Sequence, residues 1–224
     1  MTFSAIRYET AGRIARITLN RPERLNAMSA GMPAEIAAAV ALANDDDSVH
    51  VIILQGEGKG FGSGYDLKDF AEAPGENAGV QDMPWDPMRD YRLMKACTDH
   101  FSSLWRSYKP TIAKVHHVAV AGGSDIALAC DFVILGEEAR IGYPPARVLG
   151  CPPTALWGDR PGAGKGKRMP LTGGLVRGRR GRGLGGGAAG GGAGSFTTPK
   201  PPAAGVRGST GGAGYISKKT MKFR

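Results

Sequence analysis

The chain has 224 residues, enough to bury a core as one large domain or two small ones, and a formal charge of +9. That charge is segregated: residues 158–224 hold 14 Lys and Arg against one acid, leaving 15 basic and 19 acidic residues in 1–157. Net positive charge on the first region is thereby excluded as a basis for binding nucleic acid or an anionic membrane. With no basic-apolar leader and no apolar run of 18 residues, the sequence reads as soluble and cytoplasmic.

Residues 6–10 (IRYET) and 14–19 (IARITL) are short β-rich runs joined through Ala11-Gly12-Arg13, the pattern of a hairpin, and Pro22 ends the unit. From Ser29 helix formers dominate, and Met32, Ile36, Val40 and Ala43 recur at helical spacing, predicting a surface helix with one buried stripe. Residues 49–56 (VHVIILQG) form a near-continuous β-branched run between an acidic cluster and a glycine, which predicts a buried strand. Loop-forming residues at 71–87 predict a mobile surface segment, followed by a helix over roughly 88–107 that Lys109-Pro110 stops. Residues 111–121 (TIAKVHHVAVA) read as a further strand and its exit. A Gly122-Gly123 turn, a helix near 123–130 and a strand in DFVILG follow. This alternation predicts an α/β domain with its chemistry beyond the strand ends.

From about Gly158 both periodicities stop. Twenty-one of the last 67 residues are glycine, and RGRRGRGLGGGAAGGGAG offers almost nothing for a core to bury. The expected organisation is a core over 1–157 and a Gly/Arg-rich tail over 158–224, either disordered or read in a non-native frame. The tail lacks the interleaved aromatics of a single-strand binder, so no specific nucleic-acid partner is expected.

Two glycine-bearing segments, FGSGYDL (61–67) and AGGSDIAL (121–128), each follow a predicted strand. Glycine permits close backbone approach, and amides at a helix start are unsatisfied donors, so one donor from each segment could hold a developing oxyanion. The plain alternative is two structural turns beside the core. Asp125 falls in the first turn of the second segment, where it could stabilise the helix dipole or act as a proton-transferring acid near an apolar cavity. GKGFGSG lacks the spacing of a dinucleotide fingerprint, and GAGKGKR has Gly166 where a phosphate loop needs Ser or Thr. Adjacent His116 and His117 would face opposite sides of a strand, and Cys97, Cys130 and Cys151 have no paired spacing. No metal site and reduced thiols are expected.

Four stretches, ITLNRPERLNAMS (17–29), VIILQGEGKGFGSGYDLKDF (51–70), TIAKVHHVAVAGGSDIALACD (111–131) and ARIGYPPARVLG (139–150), carry a resemblance to the crotonase, or enoyl-CoA hydratase/isomerase, superfamily over residues 6 to about 157. A weaker likeness runs to 174. The resemblance implies an α/β fold of the crotonase ββα superhelix type and an acyl-CoA thioester as substrate, with no cofactor beyond its coenzyme A. It places the oxyanion-hole amides on Tyr65 and Gly122, the first catalytic acid on Asp125, and CoA contacts on Arg24, Leu25 and Lys68. Ser63, His117 and Pro145 are assigned to the substrate pocket. Pro145 stands where the family hydratases carry a second glutamate, and His117 where many relatives carry glycine. Hydration of an enoyl-CoA is the implied activity, with double-bond isomerisation or weakly catalytic acyl-CoA binding as alternatives. The family's C-terminal helices support homotrimers or hexamers, and the Gly/Arg-rich tail does not resemble them.

Overall fold

The structure, a computed structural model, describes residues 2–72, 81–148, 156–159, 163–178 and 194–196. β1 (Ile6–Ala11) and β2 (Ile14–Leu19) form the expected hairpin, turning through Gly12 at φ 56°. β2 then pairs in parallel with β3 (Val51–Gly56), a connection that α1 (Met32–Asp45) spans. The predicted α1 stripe is the buried one: Met32, Ile36, Val40 and Ala43 enter the core, joined by Ala39. β3 pairs in parallel with β4 (Thr111–Val115), and β4 with β6 (Phe132–Leu135). The strand β9 (Gly194–Phe196) lies antiparallel to β6 at the edge of this six-stranded sheet.

α2 (Pro87–Arg106) packs its Cys97, Phe101 and Leu104 face inward, with Asp86 capping its start by accepting from the Met88 amide at 2.8 Å. It ends one residue before its expected limit, at the turn preceding Lys109-Pro110. The segment expected to be mobile falls partly on residues 73–80, outside the described residues. At its edges, 68–72 form a short wide helical turn and the Gln81 side chain bonds the Asp86 backbone.

The run 111–121 is not one strand. β4 stops at Val115, and β5 (Val118–Val120) lies in a second sheet, where it pairs in parallel with β7 (Arg140–Gly142), itself antiparallel to β8 (Leu175–Arg177). His116 and His117 form the bend between the sheets, and His117 makes it with φ 51°, in the left-handed region that favours glycine. The strand-alternation argument applied to this pair therefore fails. The chain then enters α3 (Gly122–Ala129), one residue earlier than predicted, and every residue of α3 is buried. The unit β4–β5–α3 thus gives one strand to each sheet and then a helix, and β6 and β7 are divided between the sheets in the same way, the ββα architecture that the resemblance implies.

The boundary expected at residue 157 falls inside α4 (Leu156–Asp159), and α5 (Ala163–Thr172) and β8 lie beyond it. Gly166 lets α5 lie against α4, since a Cβ there would sit 1.8 Å from the Trp157 carbonyl oxygen. The rest of the predicted tail, apart from 194–196, is outside the described residues.

β4 and β6 are fastened at their starts by a polar pair in the core. Asp131 accepts from the Thr111 amide (2.9 Å) and hydroxyl (3.0 Å), and the Asp131 amide donates to Thr111 Oγ1 (2.9 Å). Thr111→Val keeps the shape and removes the hydroxyl, taking one acceptor from the Asp131 amide and one donor from its carboxylate. Urea unfolding should show a loss of about 2 kcal/mol.

Candidate active site

The site forms where two loops run side by side. Phe61 and Gly62 amides both donate to the Val118 carbonyl (2.9 and 3.1 Å), and the Val120 amide returns a bond to the Gly62 carbonyl (3.0 Å). Two residues on, the same loop is held from its other edge: the Met28 amide donates to the Gly64 carbonyl (2.7 Å) and the Asp66 amide to the Met28 carbonyl (2.9 Å). Extended backbone directs successive peptide groups to opposite sides, so with Gly64 and Asp66 committed to Met28, the Tyr65 amide points back across the gap toward α3.

Gly122, the first residue of α3, stands on that opposite wall. Neither the Tyr65 nor the Gly122 amide donates a hydrogen bond among the described residues. A Cβ built on Gly64, which has φ 99°, would lie 2.6 Å from the Ala121 Cβ and 3.3 Å from the Gly122 nitrogen. A Cβ on Gly122 would meet the Tyr65 ring at 3.1 Å. A side chain at Gly64 would therefore force the two walls apart, and one at Gly122 would displace the Met28 methyl, 2.2 Å from its Cβ, and the Tyr65 ring. Two unpaired donors from separate loops face one space, an arrangement suited to one negatively charged oxygen.

Asp125 lies one turn into α3, 1% exposed, with its amide bonded to the Ala121 carbonyl at 3.2 Å. Its charge is felt by the Tyr65 phenol, which places the two predicted residues in one electrostatic neighbourhood. Tyr65 stacks edge-on to Phe70 with ring centroids 4.9 Å apart and leans on Phe101 of α2 at 6.3 Å.

The loop bearing Tyr65 is fixed by charges that sequence reasoning passed over. Arg21 donates to Asp66 (2.9 Å) and to the Ala27 carbonyl (2.7 Å), and Arg24 lies 3.8 Å from the other carboxylate oxygen of Asp66. Burial pushes the Asp66 carboxyl up, but bonds from Arg21 and the Lys68 amide, with the charges of Arg21 and Arg24, outweigh it and hold the group below its ordinary value. Asn26, 1% exposed at φ 54°, donates to the Glu57 and Gly60 carbonyls (2.9 and 2.8 Å) and accepts from the Arg21 amide (2.8 Å). Its partners lie up to 34 residues away, beyond the reach of local pattern reading.

The remaining predicted residues divide. Arg24, Leu25 and Lys68 are exposed around the mouth of the loop pair, with Leu25 at φ 50°. Ser63 turns its hydroxyl onto the Arg24 carbonyl at 3.3 Å, and its amide bonds the Leu25 carbonyl, so it ties these loops together. His117 is exposed at the inter-sheet bend, with its carbonyl accepting from the Arg140 amide. Pro145 is half-buried in the short helical turn Pro144–Arg147, which Tyr143 precedes. Among the described residues, no three His, Cys, Asp or Glu side chains are grouped to hold a metal, and no helix is long and apolar enough to cross a membrane.

The family described as enoyl-CoA hydratase/isomerase matches residues 9–179. A Dictyostelium discoideum protein described as a probable mitochondrial enoyl-CoA hydratase is 34% identical over 170 residues, 74% of this chain and 56% of that one. Among solved structures, an enoyl-CoA hydratase from Mycobacterium smegmatis is 42% identical with a TM-score of 0.75, covering 82% of this chain and 64% of that one. An enoyl-CoA hydratase/isomerase from Xanthobacter autotrophicus Py2 is 37% identical with a TM-score of 0.74, covering 82% and 65%. The chain thus spans roughly half to two thirds of the length of such relatives.

Ala121 precedes the Gly122 donor at φ 52°, ψ −132°, a conformation natural to glycine and strained for alanine. Ala121→Gly should raise unfolding stability by about 1 kcal/mol in urea titration. Because the folded carboxyl of Asp66 is depressed, its contribution is present above its unfolded pKa of about 4 and lost as pH falls through the folded value. The stability gap between the wild type and Asp66→Asn should therefore be widest near neutrality and shrink below about pH 4 in parallel denaturation series.

Proposed function

Since the chain belongs to the enoyl-CoA hydratase/isomerase family, we propose that it acts on acyl-CoA thioesters as an enoyl-CoA hydratase-like lyase. The observation that carries this reading is the pair of unpaired amides, Tyr65 and Gly122, facing one space beside a buried carboxyl. The thioester carbonyl oxygen would accept from both amides. Polarisation draws the C2–C3 π electrons toward C1, C3 becomes electrophilic, and the resulting enolate is held by donors that need no reorganisation. Asp125 would take a proton from water as its oxygen bonds to C3, then return that proton to C2, so the product gains one water and the enzyme is restored.

Arg24, Leu25 and Lys68, exposed at the mouth, suit contact with the nucleotide part of coenzyme A, and Ser63, His117 and Pro145 complete the proposed substrate environment. The resemblance extends the proposal to a homotrimer or hexamer in the cytoplasm. Buried free thiols at Cys97 and Cys130 suit a reducing setting. One observation favours a second reading: Pro145 has no proton to move, and a double-bond isomerisation needs a single acid to carry a proton between C2 and C4.

Incubation with a short 2-enoyl-CoA, followed by mass spectrometry, separates the readings. The wild type should yield product heavier by one water. Asp125→Asn should lower that rate by about 100-fold or more while thioester binding persists. Conversion of a 3-enoyl-CoA to its 2-enoyl isomer, read from the absorbance of the conjugated thioester and without water gain, would favour the isomerase, and binding with neither reaction would leave an acyl-CoA-binding protein.

A further inference from the structure

Met28 is in contact with both walls of the gap. Its backbone brackets Tyr65: the Met28 amide donates to the Gly64 carbonyl (2.7 Å) and its carbonyl accepts from the Asp66 amide (2.9 Å), so the Tyr65 peptide stands at a fixed offset from Met28. The side chain crosses to the other wall. A Cβ built on Gly122 would lie 2.2 Å from the Met28 methyl, nearer than the 3.1 Å to the Tyr65 ring, so that methyl rests against the Gly122 Cα. Met28 is 1% exposed and enclosed by the core. The segment that carries it is itself tied down, since Arg21 donates to the Ala27 carbonyl (2.7 Å) and Asn26 to the Glu57 and Gly60 carbonyls (2.9 and 2.8 Å). Such a reach needs a long unbranched side chain, and a β-branched residue would end short of Gly122.

We propose that Met28 is a positioning residue that sets the distance between the Tyr65 and Gly122 amides, its backbone anchoring one donor and its methyl forming the stop against which the other rests. The role needs no contact with the reacting atoms. Two hydrogen bonds to one oxygen require both donors to reach it at once, and such bonds weaken steeply when misaligned. A gap that is too narrow or too wide keeps one bond at the expense of the other. Substituting Met28 leaves both amides in the chain and changes the spacing between them, because a shorter side chain lets the entry into α3 move toward the Tyr65 strand. The competing view is a methyl that merely fills space beside a glycine. It predicts a loss of stability with no effect on what the amides do to a ligand.

This inference rests on the acyl-CoA reading, and the experiment separates their failures. The probe is butyryl-CoA labelled with carbon-13 at the thioester carbonyl, a saturated ligand that cannot be hydrated, and isotope-edited infrared spectroscopy reads how strongly its C=O bond is polarised. Bound to the wild type, the carbonyl stretch should move to lower frequency than in free butyryl-CoA. Met28→Leu conserves core volume but reaches one bond less far, and should retain about half of that displacement. Met28→Ala should retain less, while titration calorimetry gives butyryl-CoA affinities within about fivefold of the wild type for both variants. The full wild-type displacement in Met28→Leu would overturn the proposal, and a lowered thermal midpoint beside it would assign Met28 to packing alone. Should Met28→Ala fail to fold, Met28→Leu decides by itself. A wild type that binds butyryl-CoA with no displacement removes the two amides as partners of the carbonyl, and the proposal with them, whereas a wild type that does not bind it overturns the acyl-CoA reading as well.

Discussion

The site depends on two backbones approaching with almost nothing between them. One wall is the extended run from Phe61 to Asp66, bonded first to β5 and then to Met28, and the other is the entry into α3. Switching partners from one edge to the other between Gly62 and Gly64 commits the amides of Phe61, Gly62, Ser63 and Asp66 and leaves those of Gly64 and Tyr65 without a partner among the described residues. That the Tyr65 amide faces away from Met28 follows from strand alternation once the Gly64 carbonyl and the Asp66 amide are engaged there. Glycines 64 and 122 then keep the gap narrow enough for one oxygen to be reached from both sides.

Such a gap has to be held open against collapse and shut against splaying. Arg21, Asp66 and Asn26 do the holding: the Arg21 guanidinium joins the loop after β2 to the loop after β3, and Asn26 threads both through three hydrogen bonds. The strain at Ala121, and the left-handed residues at Leu25, Asn26 and His117, lie on the same turns. Their backbone cost is carried by the packing of the core, which places α3 wholly in the interior. A buried helix start also keeps water away from the Gly122 amide, where a hydrogen bond to a charged oxygen is strongest.

Much of this was legible in the sequence. The hairpin, α1, β3 and the end of α2 announced themselves because each carries its signal within a few residues, as periodicity or as a Gly or Pro stop. The two amide-bearing loops were found because glycine clusters after strands have a local signature. The break at His116-His117 was hidden, since a left-handed residue that is neither glycine nor asparagine leaves no mark and the apolar pattern continues across it. Asn26 and the Thr111–Asp131 pair were hidden for another reason: their partners are 20 to 34 residues distant and polar side chains in a core look like surface ones until the fold is known. Composition misled at the C-terminal side, where glycine read as an absence of core. At Gly166 it is what allows α5 to lie on α4.

The proposed oxyanion donors belong to the backbone and the proposed acid to a side chain, and that division says something about how the site can vary. Donors that belong to the backbone are set by the fold and survive almost any substitution at Tyr65 or around it. The groups that handle protons and water are side chains and can be exchanged one at a time. In the proposed reading, proline at position 145 leaves both backbone amides untouched, so a thioester would still be polarised, and the outcome at C3 would depend on which polar groups lie within reach. The group proposed for that work is Asp125, fixed in the first turn of a buried helix.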